Sequence, residues 1–287
     1  MQQVQIACAQ MTWDREGATE AQILAETAQA GYAGSFKAHP DGSMSGQQTR
    51  ELYGHYGLEP VPGYLSGKYW DKSQTSAILD RAASLARNAR EMGGAEIYVG
   101  PDRTPERDRV AGRVGPRDAL SSADFRQLAE TLNRVGETTL REGVRSCFHN
   151  HVGAFVETRE EIDTLFSLVD RELVFMGPDI GHLAWAGADP VQFCRDYAVS
   201  IKTTHIKDIN PRVREQGIND GWDYNAFSDR GIFAEIGEGL VDFPAVLGAL
   251  AAADYAGWVV VEIDVTQKPT ALESATISRR NLKSWGV

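Results

Sequence analysis

Long apolar runs, closely spaced cysteines and a leader-like start are all missing from this 287-residue sequence. A membrane-spanning helix needs about 20 consecutive apolar residues, and no segment of that kind occurs, so we expect no membrane association. The first residues, MQQVQIACAQMTW, lack a basic segment followed by an apolar stretch, which predicts a cytoplasmic location. Cys8, Cys147 and Cys194 stand far apart, without the paired spacing of a zinc knuckle or a disulfide framework. They are expected to be buried thiols.

Basic residues are scarce relative to acidic ones, since 29 Lys and Arg against 40 Asp and Glu give a formal net charge of −11. Nucleic-acid binding draws on clustered Lys and Arg, so we expect no nucleic-acid partner. Nucleotide-binding motifs are absent as well: no strand is followed by Gly-x-Gly-x-x-Gly and a helix, and no phosphate-loop lysine motif occurs. Gly237 and Gly239, in the segment IGEGLVDF, are instead expected to shape a turn.

Apolar runs of strand length alternate with segments of helical period from one end of the chain to the other. Eight strands are predicted, at residues 4–9, 34–38, 58–65, 95–100, 144–149, 174–179, 201–207 and 258–263. Amphipathic helices are predicted at residues 19–30, 73–92, 123–141, 158–169, 189–199, 242–253 and 271–284. Repeated strand-helix units indicate a parallel sheet, and eight of them predict an α/β fold, a single (β/α)8 TIM barrel that forms one domain over residues 1–287.

Two longer polar segments, residues 101–120 and 210–232, interrupt this alternation. Both follow predicted strand ends, on the face where barrel active sites are built. They are predicted to be loops that cover a substrate.

Histidines gather at the ends of the later strands. Four of the six in the chain, His149, His151, His182 and His205, fall at or just after the ends of three successive predicted strands. Because the carboxyl ends of neighbouring barrel strands meet at one mouth, we expect these side chains to share a pocket.

Asp179, His205 and Glu262 lie near the ends of the sixth, seventh and eighth predicted strands. Two carboxylates and an imidazole at matching depth suit a divalent cation, Mn²⁺, Mg²⁺, Co²⁺ or Zn²⁺, with positions left open for substrate oxygens. Glu157 follows a glycine-containing turn that could fold it back over the mouth, and it is the predicted fourth ligand. Any one of these residues could be a hydrogen-bonded structural group, so the prediction depends on their coincidence.

Catalytic roles are predicted for three residues beside these ligands. His149 and His151 alternate along a strand, so both can face one side, one as general base or acid and the other as a substrate contact. Lys207 has the same spacing from His205 and could hold a substrate oxygen or an enolate, although a solvated charge would equally suit a lysine that ends a strand.

A substrate-binding wall is predicted from three further residues. His182, three residues after Asp179, could reach substrate hydroxyls or donate a hydrogen bond to a ligand. Trp13 and Lys37, at the first two strand ends, would form the far wall, with the indole as an apolar plate for a sugar ring; packing in the core is the alternative for such an aromatic residue.

FHNHVGAFVETREEID, PDIGHLAWAGADP, THIKDI and IGEGLVDFPAVLGALAAADYAGWVVVEID together resemble the xylose-isomerase-like barrel superfamily of sugar isomerases, epimerases and inosose dehydratases. The resemblance covers nearly the whole chain and is greatest to the inosose dehydratase branch. It implies a divalent metal, usually Mn²⁺ or Co²⁺, held by the residues that match the family's ligands, Glu157, Asp179, His205 and Glu262. It also implies metal-assisted removal of a proton beside a carbonyl.

The chain departs from that pattern at two places. His149-Asn150-His151 stands where the epimerases have a metal-binding Glu on the fifth strand, and Lys37 stands where an acidic or neutral residue is expected in an inosose dehydratase. The sequence is also similar to the catalytic subunits of bacterial enzymes that split 3-keto C-glycosides by elimination together with a small all-β partner subunit.

The resemblance thus implies a metal-dependent lyase that removes the proton alpha to the carbonyl of a keto-cyclitol or keto-sugar and expels a β-substituent, with His149 or His151 as base. Mn²⁺ is the expected ion, with Co²⁺, Mg²⁺ and Zn²⁺ as alternatives. A keto-sugar isomerase or epimerase acting through the same enediolate is the alternative enzyme, and a barrel that binds sugar without turnover is a third possibility. The expected partners are a small polyhydroxylated carbonyl substrate and either further copies of the chain or a small all-β subunit.

Overall fold

The computed structural model describes residues 4–38 and 42–287. Its strands are β1 (Gln5–Ala9), β2 (Gly34–Phe36), β3 (Glu59–Val61), β4 (Tyr64–Gly67), β5 (Glu96–Pro101), β6 (Arg145–Phe148), β7 (Val174–Met176), β8 (Thr204–Ile206), β9 (Asp208–Ile209), β10 (Phe233–Ala234) and β11 (Trp258–Val261). They pair in the orders β3-β2-β1-β11-β8 and β4-β5-β6-β7, with β9 and β10 as a separate ribbon.

The two larger sheets close into a barrel. Every pairing within them is parallel. Single parallel bridges from Met176 to Ile201 and from Asp179 to His205 join β7 to the strand that contains β8. On the other side β3 and β4 are two parts of the third predicted strand, which is interrupted at Pro62 and Gly63. The prediction of a (β/α)8 barrel is confirmed.

The helices are α1 (Met11–Arg15), α2 (Glu20–Ala30), α3 (Gly46–Gly54), α4 (Thr75–Met92), α5 (Pro105–Asp108), α6 (Ser122–Leu140), α7 (Arg159–Leu168), α8 (Ile180–Trp185), α9 (Pro190–Tyr197), α10 (Pro211–Asp220), α11 (Tyr224–Asp229), α12 (Phe243–Ala251) and α13 (Ala271–Ser284), with a 3₁₀ turn at Lys72–Gln74. The seven predicted helices are present with small changes at their ends. In the ranges described, none of the helices combines the length and apolarity that crossing a bilayer would take.

Residues 210–232 were predicted to be a loop, and here the structure differs. They form α10 and α11, between the short antiparallel strands β9 and β10. Asn210 accepts hydrogen bonds from the first turn of α10, with Pro211 at its start, and Asp223 accepts from Ala226 N at the start of α11. Both are ordinary helix N-caps, and they outweigh the polar composition that suggested a loop.

An apolar layer fills the barrel just below its carboxyl-end mouth. It is formed by Ala7, Ala9, Phe36, Val61, Tyr98 and Val260. Tyr98 is oriented by a hydrogen bond of 2.5 Å between its hydroxyl and Thr203 Oγ1. This layer is the floor on which the polar side chains of the strand ends rest.

The buried carboxylate of Asp208 organises the loop that carries IGEG. It accepts hydrogen bonds from the backbone N–H groups of Ile209, Gly237, Gly239 and Val241, at 2.8–3.0 Å. A Cβ at Gly239 would lie 2.2 Å from Asp208 Oδ1, which explains why that position has no side chain. The predicted turn is therefore a backbone nest around a carboxylate.

We predict that Asp208→Ala lowers the free energy of unfolding by about 3–5 kcal/mol, because several buried N–H groups lose their acceptor at about 1–3 kcal/mol each. Urea denaturation followed by circular dichroism measures the change. Asp80→Ala, at an exposed position of α4, is the control and should change stability by less than about 0.5 kcal/mol. Equal stability of the two variants would contradict the role given to Asp208.

Candidate active site

A cavity of about 230 Å³ opens at the carboxyl ends of the strands. It is lined by Met11, Phe36, Ala38, Tyr64, Ser66, Pro101, Asp102, Arg103, His149, His151, His205, Glu262 and Asp264. Pockets for drug-sized ligands enclose roughly 300–1,000 Å³, so this one suits a small molecule. Its lining combines aromatic walls with imidazoles and carboxylates.

The first cluster consists of His149, Asp179 and His205, whose ligand atoms all lie within 4.8 Å of one another. Each of the three side chains is at most 3% exposed. His149 Nδ1 lies 3.2 Å from the carbonyl oxygen of Gly177, to which it can donate, and Nε2 lies 3.9 Å from Asp179 Oδ2. Glu262 adjoins the cluster, because its Oε2 is 2.9 Å from His205 Nδ1.

One atom of the first cluster has unused bonding capacity. His205 Nε2 is buried and makes no hydrogen bond within the part of the chain described, whereas Asp179 Oδ2 has an ion-pair contact of 3.2 Å with Lys207 Nζ. Burial raises the pKa of Asp179 to about 6, although the nearby Lys207 charge opposes the rise. Because buried polar atoms without partners are costly, the cluster has the chemistry of a site for a divalent cation.

Lys207 is buried among three carboxylates. Its Nζ lies 2.9 Å from Glu262 Oε2, 2.9 Å from Asp264 Oδ1 and 3.2 Å from Asp179 Oδ2. Burial alone would lower the pKa of Lys207, but the charges of Asp179, Asp264 and Glu262 outweigh burial and hold that pKa well above its usual value. Lys207 is therefore a permanent cation and not a base.

The second cluster consists of His151, His182 and Asp264, whose ligand atoms also lie within 4.8 Å of one another. His182 Nε2 is 3.2 Å from Lys207 Nζ, so it is an acceptor without a proton. His151 Nδ1 lies 2.6 Å from Val152 O and donates to it, which leaves the lone pair on Nε2. Burial, with the Lys207 charge second, lowers the pKa of His151 to about 4, so its ring is neutral at pH 7.

Seven of the ten predicted site residues are therefore brought together: His149, His151, Asp179, His182, His205, Lys207 and Glu262. Glu157 is not among them, and its prediction as a ligand needs correction. Its Oε1 accepts from Gly112 N and its Oε2 from Gly153 N, both at 2.8 Å, which turns the carboxylate into the surrounding loops. His149, which was predicted to be catalytic, occupies the cluster instead.

Trp13 and Lys37 also lie outside the mouth cavity. The chain enters α1 directly after β1, so Met11 lines the cavity, whereas Trp13 is buried with its Nε1 donating to Glu26 Oε2 at 2.7 Å. Lys37 follows Phe36 on β2, and alternation places it on the other side of the strand. It forms an ion pair of 2.5 Å with Glu20 beside a separate, smaller cavity.

Sequence reasoning missed several residues of the site. Asp264 stands two residues after Glu262, the same alternation that singled out His151 and Lys207, so the signal was present. Arg103 and Tyr224 carried no such signal, because they come from the two long segments after strands. Arg103 lies over the Tyr224 ring, 3.4 Å from its centroid, and Tyr224 donates to Asp264 Oδ2 at 3.2 Å.

A closed (β/α)8 barrel that gathers buried histidines, carboxylates and a lysine at its carboxyl-end mouth has the layout of the barrel enzymes. The family model described as xylose isomerase-like TIM barrel matches residues 24–285. The chain belongs to that family, as its sequence motifs predicted.

Curated relatives agree with this assignment, and a solved structure agrees with the fold. The chain is 30% identical over 288 residues to the rhizopine catabolism protein MocC of Rhizobium meliloti, covering 96% of this chain and 86% of that protein. It is 28% identical over 270 residues to the inosose dehydratase of Geobacillus kaustophilus (strain HTA426), covering 91% and 84%. A crystal structure of the IOLI protein with a bound zinc atom superimposes with a TM-score of 0.73 at 16% identity, covering 98% of both chains.

We predict that Lys207→Met lowers the free energy of unfolding by about 3–5 kcal/mol at pH 8, because it leaves buried carboxylates without their cation. The loss should be smaller at pH 5. Without the ammonium, the pKa of Asp179, already raised to about 6, rises further above its unfolded value of about 4, so the folded variant binds more protons than the unfolded chain. Stability then falls as pH rises through the folded pKa.

Thermal and urea unfolding at pH 5 and pH 8 in EDTA test this dependence. Lys72→Met, an exposed lysine, is the matched control and should behave like the wild type at both pH values. A loss of the same size at both pH values would show that the Lys207 charge is not what matters.

Proposed function

We propose that this protein is a metal-dependent lyase that removes the proton alpha to the carbonyl of a keto-cyclitol or keto-sugar and expels a β-substituent. The preferred substrate is inosose-like, and the group expelled from it is water. The observation that carries the proposal is that His149 and His205 of the first cluster line one small cavity together with His151. The similarity to inosose dehydratases over most of both chains supports this reaction class.

The residues present fit a divalent cation. His149, Asp179 and His205 would hold it, with Glu262 beside them, and the unpartnered atom His205 Nε2 supports this assignment. A mixed nitrogen and oxygen donor set suits Mn²⁺, our first choice, as well as Co²⁺, Zn²⁺ or Mg²⁺. When bound, such an ion supplies a Lewis acid for the substrate carbonyl.

His151 is the proposed base. It lines the cavity, and the hydrogen bond from its Nδ1 to Val152 O fixes the tautomer that has a lone pair on Nε2. His149, the other candidate of the sequence analysis, is buried against Asp179 and is assigned to the cation site instead.

A single base, His151, is sufficient for this elimination, because every proton and electron pair is accounted for. The α C–H bond breaks as its proton moves to His151 Nε2, the electron pair becomes a C=C bond, and the β C–O bond breaks. The proton taken by His151 then leaves with the expelled hydroxide as water. Lys207 does not line the cavity and acts by fixing the positions of Asp179, Glu262 and Asp264.

We predict that the wild-type protein converts a 2-keto-cyclitol into an unsaturated ketone, seen as new ultraviolet absorbance. His151→Ala should lower kcat by about 10²–10⁴, the usual contribution of a general base, while the bound metal content stays unchanged. His55→Ala, at an exposed position, is the control and should keep the wild-type rate.

The same reaction run in D₂O separates the lyase from an isomerase or epimerase. The substrates are the 2-keto-cyclitol and a 3-keto-glucoside. If both give nothing but saturated sugar labelled with deuterium, the lyase assignment is wrong. Wild-type turnover by His151→Ala would show that the base is another residue.

A separate prediction concerns the metal. EDTA should abolish turnover, and Mn²⁺ or Co²⁺ should restore it better than Ca²⁺, which prefers six to eight oxygen ligands. Elemental analysis should find less than about a tenth of the wild-type metal in His149→Ala, whereas Glu157→Gln should retain it, since removing a direct ligand costs several kcal/mol and each 1.4 kcal/mol is tenfold in affinity. Loss of metal from Glu157→Gln with retention in His149→Ala would reverse the ligand assignment.

A further inference from the structure

Two loops meet at one side of the mouth. The first loop, residues 102–120, follows β5, includes the short helix α5 and carries Arg103. The second loop, residues 149–158, follows β6 and carries His151. Both side chains line the cavity. The loops contact each other near the mouth, where Thr104 N donates to Gly153 O at 3.0 Å.

Behind this contact lies a fully buried arginine. Arg107, in the first loop, places Nη1 and Nη2 at 2.8 Å from the two carboxylate oxygens of Glu161, at the start of α7. Its Nη2 is also 3.7 Å from Glu157 Oε2, and Nη1 donates to Asp118 O at 3.0 Å. We call Arg107, Glu157 and Glu161 the clamp.

The Glu157 carboxylate touches both loops at once. It accepts from Gly112 N of the first loop and from Gly153 N of the second, and Glu161 Oε2 accepts from Glu157 N at 2.8 Å. The two carboxylates of the clamp thereby fix backbone atoms on either side of the loop junction. Arg107 holds these carboxylates in place, and its two parallel bonds to Glu161 define their orientation.

The second loop also contains a strained residue. Val156 is buried and has a φ of 66°, in the left-handed region that residues with a branched side chain avoid. Such a conformation persists only where the surroundings enforce it, and it is found most often at functional sites. Glu157, the next residue, is held by hydrogen bonds of both its backbone N–H and its carboxylate.

A buried ion pair seldom stabilises a fold more than apolar side chains of the same volume would. Its presence behind the mouth therefore calls for a reason other than stability. We propose that Arg107 is a positioning residue, which through Glu157 and Glu161 sets the places of His151 and Arg103 at the cavity. This inference rests on the proposed function for the role of His151 as base, and on the geometry alone for the rest.

The test compares Arg107→Lys with Arg159→Lys. Lysine keeps the charge of Arg107 but cannot form two parallel bonds to one carboxylate. Arg159 lies in α7, the helix that also contains Glu161, and binds Asp163 and Asp196 at partly exposed positions, so it is a matched control. With the 2-keto-cyclitol as probe, Arg107→Lys should lower kcat about 10- to 100-fold, since small misplacements of reacting groups have effects of this size, and raise KM. Its metal content should equal that of the wild type, and Arg159→Lys should change none of these quantities.

A second readout needs no substrate. Long-range ¹H–¹⁵N spectra of the histidine rings, recorded with Zn²⁺ present to avoid paramagnetic broadening, report the tautomer of His151. The wild type and Arg159→Lys should show the single tautomer with a proton on Nδ1, and Arg107→Lys should show averaging of the two tautomers. If the wild type does not turn over the cyclitol, the proposed function fails, and these spectra still decide the role of the clamp.

Glu157→Gln covers the case in which Arg107→Lys does not fold, because it keeps the side-chain volume and can still accept from one of the two loops. It should shift kcat, KM and the His151 spectrum in the same direction and by a smaller factor. If folded Arg107→Lys or Glu157→Gln protein, checked by circular dichroism, has wild-type kcat, KM and His151 tautomer, the clamp is only structural and the inference is wrong.

Discussion

The ion pairs of Lys207 are the interaction on which the rest of the site depends. One ammonium group lies within 3.2 Å of three carboxylates from two strand ends, Asp179 after β7 and Glu262 and Asp264 after β11, while Lys207 itself follows β8 between them. Three carboxylates and one ammonium leave two negative charges, which is the charge that one divalent ion neutralises. The lysine thus allows several acidic side chains to be buried together and leaves a deficit that favours a dication over a monovalent one.

The apolar floor strengthens the electrostatic interactions within this group of charges. Phe36, Tyr98 and their neighbours close the barrel below the histidines, and the centroid of the Tyr98 ring is 4.2 Å from that of His205. A low-polarity layer on that side strengthens every interaction between the charges above it. It also contributes to the neutral state of His149, whose ring lies 5.5 Å from that of Tyr98 and whose pKa is lowered first of all by burial.

Much of this could be predicted from the sequence, because strand-helix alternation and the convergence of strand ends are regular. His205, Asp179 and Glu262 were found together for that reason. Glu157 was misplaced because it lies eight residues beyond His149 in a loop, where no periodicity tells which way a side chain turns. The prediction for Trp13 was wrong for a related reason. Helix α1 begins at Met11, so the convergence of strand ends on the mouth no longer applies at residue 13.

Asp208 fixes the place at which the chain leaves the barrel after β8 and returns to it. Its carboxylate binds the backbone on both sides of the excursion formed by β9, α10, α11 and β10, and Ala234 pairs with Asp208 itself. The excursion therefore leaves the barrel and returns to it at one fixed point. Its helices also contact the centre, because Tyr224 of α11 donates to Asp264 Oδ2, and Asp264 Oδ1 lies 2.9 Å from Lys207 Nζ. The segment is thus anchored at two places, at Asp208, where it leaves and re-enters the barrel, and at Tyr224, which connects it to the ion pairs of Lys207.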